Sequence, residues 1–142
     1  MECLAIIPAR GGSEGIPNKN IQFVAGKPLL AYSVEQAIES KLISRVIVST
    51  DDEKIGAIAQ EFGAEVVWRP DEISVNTASS ESALLHTLEY LEQTENYHPE
   101  LISFLQCTSP LTSSKDIDGT IKSLLEENAD TALAVVPFHY YL

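Results

Sequence analysis

Short apolar runs alternate with stretches of helical periodicity along the whole chain, and few folds accept that alternation. Each apolar run suits one strand and each amphipathic stretch one crossover helix, so their repetition is the pattern of βαβ units around a parallel sheet. Strands are expected over residues 3–8, 45–49, 65–68, 101–106 and 131–136. Several are almost continuously apolar, as strands buried on both faces must be. Between them, Leu29, Leu30, Ser33, Val34, Ala37 and Ile38 form one stripe of a helix over 29–41, and Ile55, Ile58, Ala59 and Phe62 one stripe of a helix over 52–62. Gly63 closes the second. A third helix starts with Ser79 or Ser80 as N-cap and turns Ala83, Leu84, Leu88 and Leu91 inward, and a fourth runs over about 116–127. The expected class is α/β, three-layered and doubly wound, with a mainly parallel sheet.

Length and apolar content set no obstacle to this reading: 142 residues at 44% hydrophobic form a core without cross-links. Cys3 and Cys107 show no metal-ligand spacing and no disulfide framework, which fits a reduced, cytoplasmic protein. No basic leader with a long apolar stretch precedes residue 4, and no apolar run reaches the length of a membrane span, so neither export nor membrane insertion is expected.

Charge restricts the partners. With 21 acidic against 9 basic residues the formal net charge is −12, opposite in sign to the field of a nucleic-acid or membrane-surface binder. A polyanionic small ligand would be repelled by the average surface and needs a local exception. Arg10, Lys19 and Lys27, a third of all the cations, supply one by flanking the glycine-rich stretch Gly11-Gly12-Ser13-Glu14-Gly15. Glycines after a parallel strand let backbone N–H groups approach phosphate, because no Cβ holds the ligand off. The stretch lacks the Gly-Lys-Ser/Thr ending of a P-loop and the spacing of a dinucleotide fingerprint. On glycines alone it could equally be a tight turn.

The full string Ile7-Pro8-Ala9-Arg10-Gly11-Gly12-Ser13, then Gly15-Ile16-Pro17 and Lys19-Asn20, resembles the opening signature of the CMP-sialic acid synthetase (acylneuraminate cytidylyltransferase) family. Four further stretches agree in order: Ser49-Thr50-Asp51-Asp52, Arg69-Pro70, Thr77-Ala78-Ser79-Ser80 and Leu105-Gln106-Cys107-Thr108-Ser109-Pro110-Leu111. The resemblance implies a Rossmann-like nucleotidyltransferase fold that transfers CMP from CTP to a nine-carbon α-keto acid sugar, releases pyrophosphate and requires Mg2+. It also implies a homodimer. Carried across, it places Arg10 and Lys19 on the triphosphate as the catalytic cations. Ala9, Gly11, Gly12, Ser13, Asn20, Arg69 and Ser80 would line the nucleotide, and Gln106, Thr108 and Ser109 would face the sugar. Taken singly, Arg69 could be a strand-end charge, Ser80 a helix cap and Gln106 a satisfied amide.

Three departures qualify the resemblance. Glu14 stands where the family carries lysine, and a like charge about 4 Å from a phosphate costs about 4 kcal/mol at an effective dielectric near 20 before screening. Asn76 replaces an aspartate and Thr112 an arginine. Asp51 and Asp52 could be a metal pair or could favour a helix N-terminus. No carboxylate maps onto the family's magnesium ligands, and His86, His98 and His139 have no visible nucleophile or metal partner. The apolar tail Phe138 to Leu142 suggests a chain continuing beyond it, or one docked against a core or a second subunit. Residues 1–142 are therefore expected to be one nucleotide-binding α/β domain lacking the family's C-terminal part. A CTP-binding module without turnover, or a related sugar nucleotidyltransferase using another nucleotide, are the competing expectations.

Overall fold

The computed structural model describes residues 1–11, 19–70 and 80–135. In chain order these form β1 (Cys3–Pro8), a 3-10 turn (Lys19–Ile21), β2 (Phe23–Val24), β3 (Lys27–Pro28), α1 (Leu29–Glu39), β4 (Arg45–Thr50), α2 (Glu53–Glu61), β5 (Glu65–Trp68), α3 (Ser80–Glu95), β6 (Leu101–Phe104) and α4 (Ser114–Glu126). The main sheet is parallel, ordered β5-β4-β1-β6, and β2 and β3 pair as a separate antiparallel hairpin. The α/β class read from the alternation is the class found.

β1 explains the layering. All its residues from Cys3 to Ile7 are buried, and successive side chains face opposite ways. Ala5 and Ile7 join Leu30, Val34 and Ala37 of α1 and Ile55 and Ala59 of α2 on one face. Leu4 and Ile6, with Ile47 and Val67, meet Leu84, Leu88 and Leu91 of α3 on the other. Burying each such Leu or Ile contributes about 1.5–3 kcal/mol, so the central strand is held from both sides. α4 closes the edge, packing Ile117 and Ile121 on Cys3. α3 does not reach fully over β6, where Ile102 and Phe104 remain partly exposed.

Element ends follow local chemistry. The first helix stops at Glu39, two residues before the expected end, because Asp118 of α4 takes the Ser40 hydroxyl and the backbone N–H groups of Lys41 and Leu42. Its expected stripe holds except at Ile38, which is 47% exposed. Asp52 caps α2, accepting from the N–H groups of Lys54 and Ile55 at 2.8 and 3.1 Å, and Gly63 ends that helix at φ +102° as expected. Ser80 is the first residue of α3, not its cap, while Ser79 lies outside the described residues. Helix α4 starts two residues early, with a capping box between Ser113 and Asp116.

One expected strand is not found. Residues 131–135 carry no strand, Leu133 and Val135 are exposed, and residue 136 lies outside the described residues. An apolar run becomes a strand only where it pairs; here residues 131–134 and β6 line a hollow of about 660 Å³ instead. β6 itself ends two residues short of the expected Gln106, although the Leu105 N–H still reaches the Ile6 carbonyl at 3.1 Å. The hairpin was not expected. Its turn, Ala25-Gly26, has φ +50° and +89°, the left-handed pair that a two-residue hairpin demands.

Candidate functional site

In the strand order, β4 and β5 succeed β1 on one side and β6 lies on the other, so the winding reverses between β1 and β6. Open α/β sheets bind ligands at such a reversal, beyond the carboxyl ends of the strands. A cleft of about 240 Å³ lies there. Pro8 ends β1 in it and Arg10 follows, Lys19 and Asn20 enter from the 3-10 turn, and Arg69 enters from the end of β5. Ser80 and Ala83 come from the first turn of α3, and Phe104, Gln106, Cys107 and Thr108 from the end of β6.

The cations stand in different settings. Arg69 is 9% exposed and donates from Nη2 to the Ser49 carbonyl at 3.0 Å. The same carbonyl accepts the Ala9 N–H at 2.9 Å, so one oxygen ties together the ends of β1, β4 and β5. Burial foremost holds the Arg69 guanidinium below its ordinary pKa; Asp51 works against that and the charge of Arg10 adds to it. It nevertheless stays a cation at neutral pH. Its Nε is buried with no hydrogen-bond partner among the described residues. A buried donor left so costs about 1–3 kcal/mol.

Asn20, 8% exposed, donates its amide to the Arg10 carbonyl at 3.1 Å. The Gly11 N–H donates to Asp51 Oδ1 at 3.0 Å, and a Cβ on Gly11 would meet Asp52 Oδ2 at 2.5 Å. Only glycine fits there without displacing the α2 cap. Both aspartates thus hold backbone N–H groups, and among the described residues no three His, Cys, Asp or Glu side chains form a group that could hold a metal. The described side chains therefore do not by themselves make up a magnesium site.

Of the expected site residues, Arg10, Lys19, Asn20, Arg69, Ser80, Gln106 and Thr108 line one cleft. Ala9 is buried behind it. Ser109 does not line it; with Ser33, Gln36, Thr112 and Ile117 it borders a small separate hollow, and its N–H donates to the Gln106 carbonyl. Gly12, Ser13, Glu14 and Asn76 lie outside the described residues, as do Thr77, Ala78 and the Phe138 to Leu142 tail. Pattern reading missed Phe104 and Cys107. Alternation on β6 was the available signal for Phe104, since it shares a face with Gln106. Burial pushes the Cys107 thiol up to about 12, so it stays protonated.

Residues 4–140 match the family described as Cytidylyltransferase. The chain belongs to that family. This cytidylyltransferase chain is 42% identical over 119 residues to the N-acylneuraminate cytidylyltransferase of Escherichia coli O18:K1:H7, covering 84% of this chain and 27% of that protein. It is 36% identical to the pseudaminic acid cytidylyltransferase of Campylobacter jejuni, over 99% of this chain and 60% of the relative. Against the CMP-N,N'-diacetyllegionaminic acid synthase of Legionella pneumophila the identity is 33%, over 96% and 57%. The chain therefore spans between about a quarter and three fifths of these relatives. Among solved structures, CMP:2-keto-3-deoxy-manno-octonic acid synthetase complexed with CTP has the same fold, with a TM-score of 0.74 at 23% identity over 91% of this chain and 49% of that one. No helix among the described residues is long and apolar enough to cross a membrane.

Proposed function

We propose that the cleft binds the triphosphate and base of CTP, and that the whole protein transfers CMP to a nine-carbon α-keto acid sugar with release of pyrophosphate. The observation that carries the reading is the convergence of Arg10, Lys19 and Arg69 on one cleft of a chain whose net charge is −12. Arg10 and Lys19 bind the triphosphate, Arg69, Asn20 and Ser80 the rest of the nucleotide, and Gln106 and Thr108 the sugar. The sugar hydroxyl oxygen attacks the α-phosphorus as the bond to the bridging β-oxygen breaks. Arginine and lysine offset the charge that gathers on the leaving pyrophosphate, and orientation does the rest.

The three relatives name three different nine-carbon acids, so the chemistry proposed is the activation of that class and not of one member. Calorimetry with CTP, UTP, ATP and GTP tests the cleft, and a preference for CTP is expected. The full-length protein is then given CTP, Mg2+ and N-acetylneuraminate or a related acid, and pyrophosphate is assayed. Binding without turnover in that protein would replace the enzyme with a nucleotide-binding module, and preference for another triphosphate would replace CTP. Sedimentation of the same preparation reads the homodimer that the family resemblance implies.

A further inference from the structure

We propose that Asp51 is a positioning residue that fixes the Arg10 backbone in the cleft through the amide of Gly11. The proposal rests on the nucleotide reading above and adds a residue to it. Arg10 is held on three sides: the preceding N–H, of Ala9, donates to the Ser49 carbonyl at 2.9 Å, its own carbonyl accepts from Asn20 at 3.1 Å, and the following N–H, of Gly11, donates to Asp51 Oδ1 at 3.0 Å. Two of these ties run to consecutive parts of β4 and its end, Ser49 and Asp51. The third comes from the 3-10 turn.

The Asp51 tie acts beyond the last strand pairing of β1, where the chain would otherwise swing free of the sheet. Asp52 beside it cannot move to replace it, since its carboxylate caps α2 through Lys54 and Ile55 and its side chain fills the space against Gly11. Asp51 is exposed and takes no place in the core, so its side chain is held there by this contact and by the guanidinium charge of Arg69. A carboxylate facing a polyphosphate site opposes the ligand by charge; its geometric role outweighs that because a cation displaced by an ångström loses the in-line alignment that catalysis by orientation requires.

Asp51→Ala and Asp51→Asn separate geometry from charge, because asparagine keeps an acceptor for Gly11 while both remove the negative charge. Amide exchange at Gly11, followed by NMR without ligand, is expected to be slow in the parent and in Asp51→Asn and fast in Asp51→Ala. CTP affinity is expected to fall about tenfold in Asp51→Ala, the scale of one hydrogen bond to a charged group, while Asp51→Asn binds at least as tightly as the parent. Melting temperatures of all three check that the fold persists. Equal exchange in all three proteins, or equal CTP affinity in the two variants, overturns the proposal. A parent that protects Gly11 yet does not bind CTP overturns the nucleotide reading and, with it, the positioning role, and is told apart from the other failures by the exchange data.

Discussion

Arg69 concentrates the chemistry of the cleft in one side chain. It is tied to the Ser49 carbonyl by one nitrogen and leaves a second buried without a partner among the described residues. Replacing it with alanine should lower CTP affinity by about tenfold or more, since hydrogen bonds to charged groups are worth about 1.5–3 kcal/mol. Arg69→Lys should recover only part of the loss, because one ammonium cannot hold Ser49 and present a planar fork to the ligand. Titration calorimetry alongside a thermal melt distinguishes lost binding from lost fold. At this scale the chain was readable in part: Arg10 and Lys19 stood out as cations beside a glycine-rich stretch and do line the cleft. Lys27, expected with them, pairs with Glu35 at 2.7 Å and does not line it, and Arg69 came only through the family resemblance. The partners that orient them were not readable, because a carbonyl such as that of Ser49 is present at every position and its role depends on which strands lie side by side.

Between elements, Asp118 joins α4 to the end of α1. Burial alone would raise its carboxyl pKa, but hydrogen bonds from Ser40, Lys41 and Leu42 and the charge of Lys122 hold it below the usual carboxylate range. A folded pKa below the unfolded one means that this stabilisation is complete above the unfolded value and is lost as pH falls through the folded one. Asp118→Ala should cost about 0.5–1.5 kcal/mol at pH 7, the net worth of a hydrogen bond whose donors water can partly reach. Urea titrations of parent and variant should converge only as pH falls below the ordinary carboxylate value and through the lower folded pKa of Asp118. A gap that persisted once the folded carboxyl is itself fully protonated would assign the loss to packing. Elements that bury a periodic face, β1, α1 and α2 among them, could be read from periodicity. The hairpin of β2 and β3 is two residues a side and has no period to show, and the run at 131–135 had the composition of a strand without a pairing partner.

The molecule as a whole keeps two charge systems at opposite ends of its sheet. The cleft gathers cations at the carboxyl ends, whereas Arg45, at the start of β4, meets Glu65 at 2.7 Å and Glu95 at 3.1 Å and lies over the Tyr97 ring. Tyr97 in turn donates to Glu2 at 2.9 Å, and burial with that contact pushes its hydroxyl up to about 12. Exposed pairs of this kind contribute about 0–1 kcal/mol each, too little to offset the self-repulsion of a net charge of −12. Raising ionic strength from about 0.01 to 0.15 M shortens the screening length from about 30 to 8 Å, so the melting temperature should rise over that interval. A fall would show that the local pairs outweigh the global field. Net charge was plain from composition; where its exceptions gather depended on the winding order that sets β1 beside β6.

The two thiols carry a practical consequence. Cys3 is 2% and Cys107 4% exposed, and burial raises both above the ordinary thiol range, Cys3 with help from the charge of Asp118. Alkylating dyes attack the thiolate, so neither residue competes for reagent near neutral pH. A Leu111→Cys substitution, at a side chain 93% exposed just past Thr108, would accept a single maleimide fluorophore and let ligand entry be followed by emission without first removing any native sulfur.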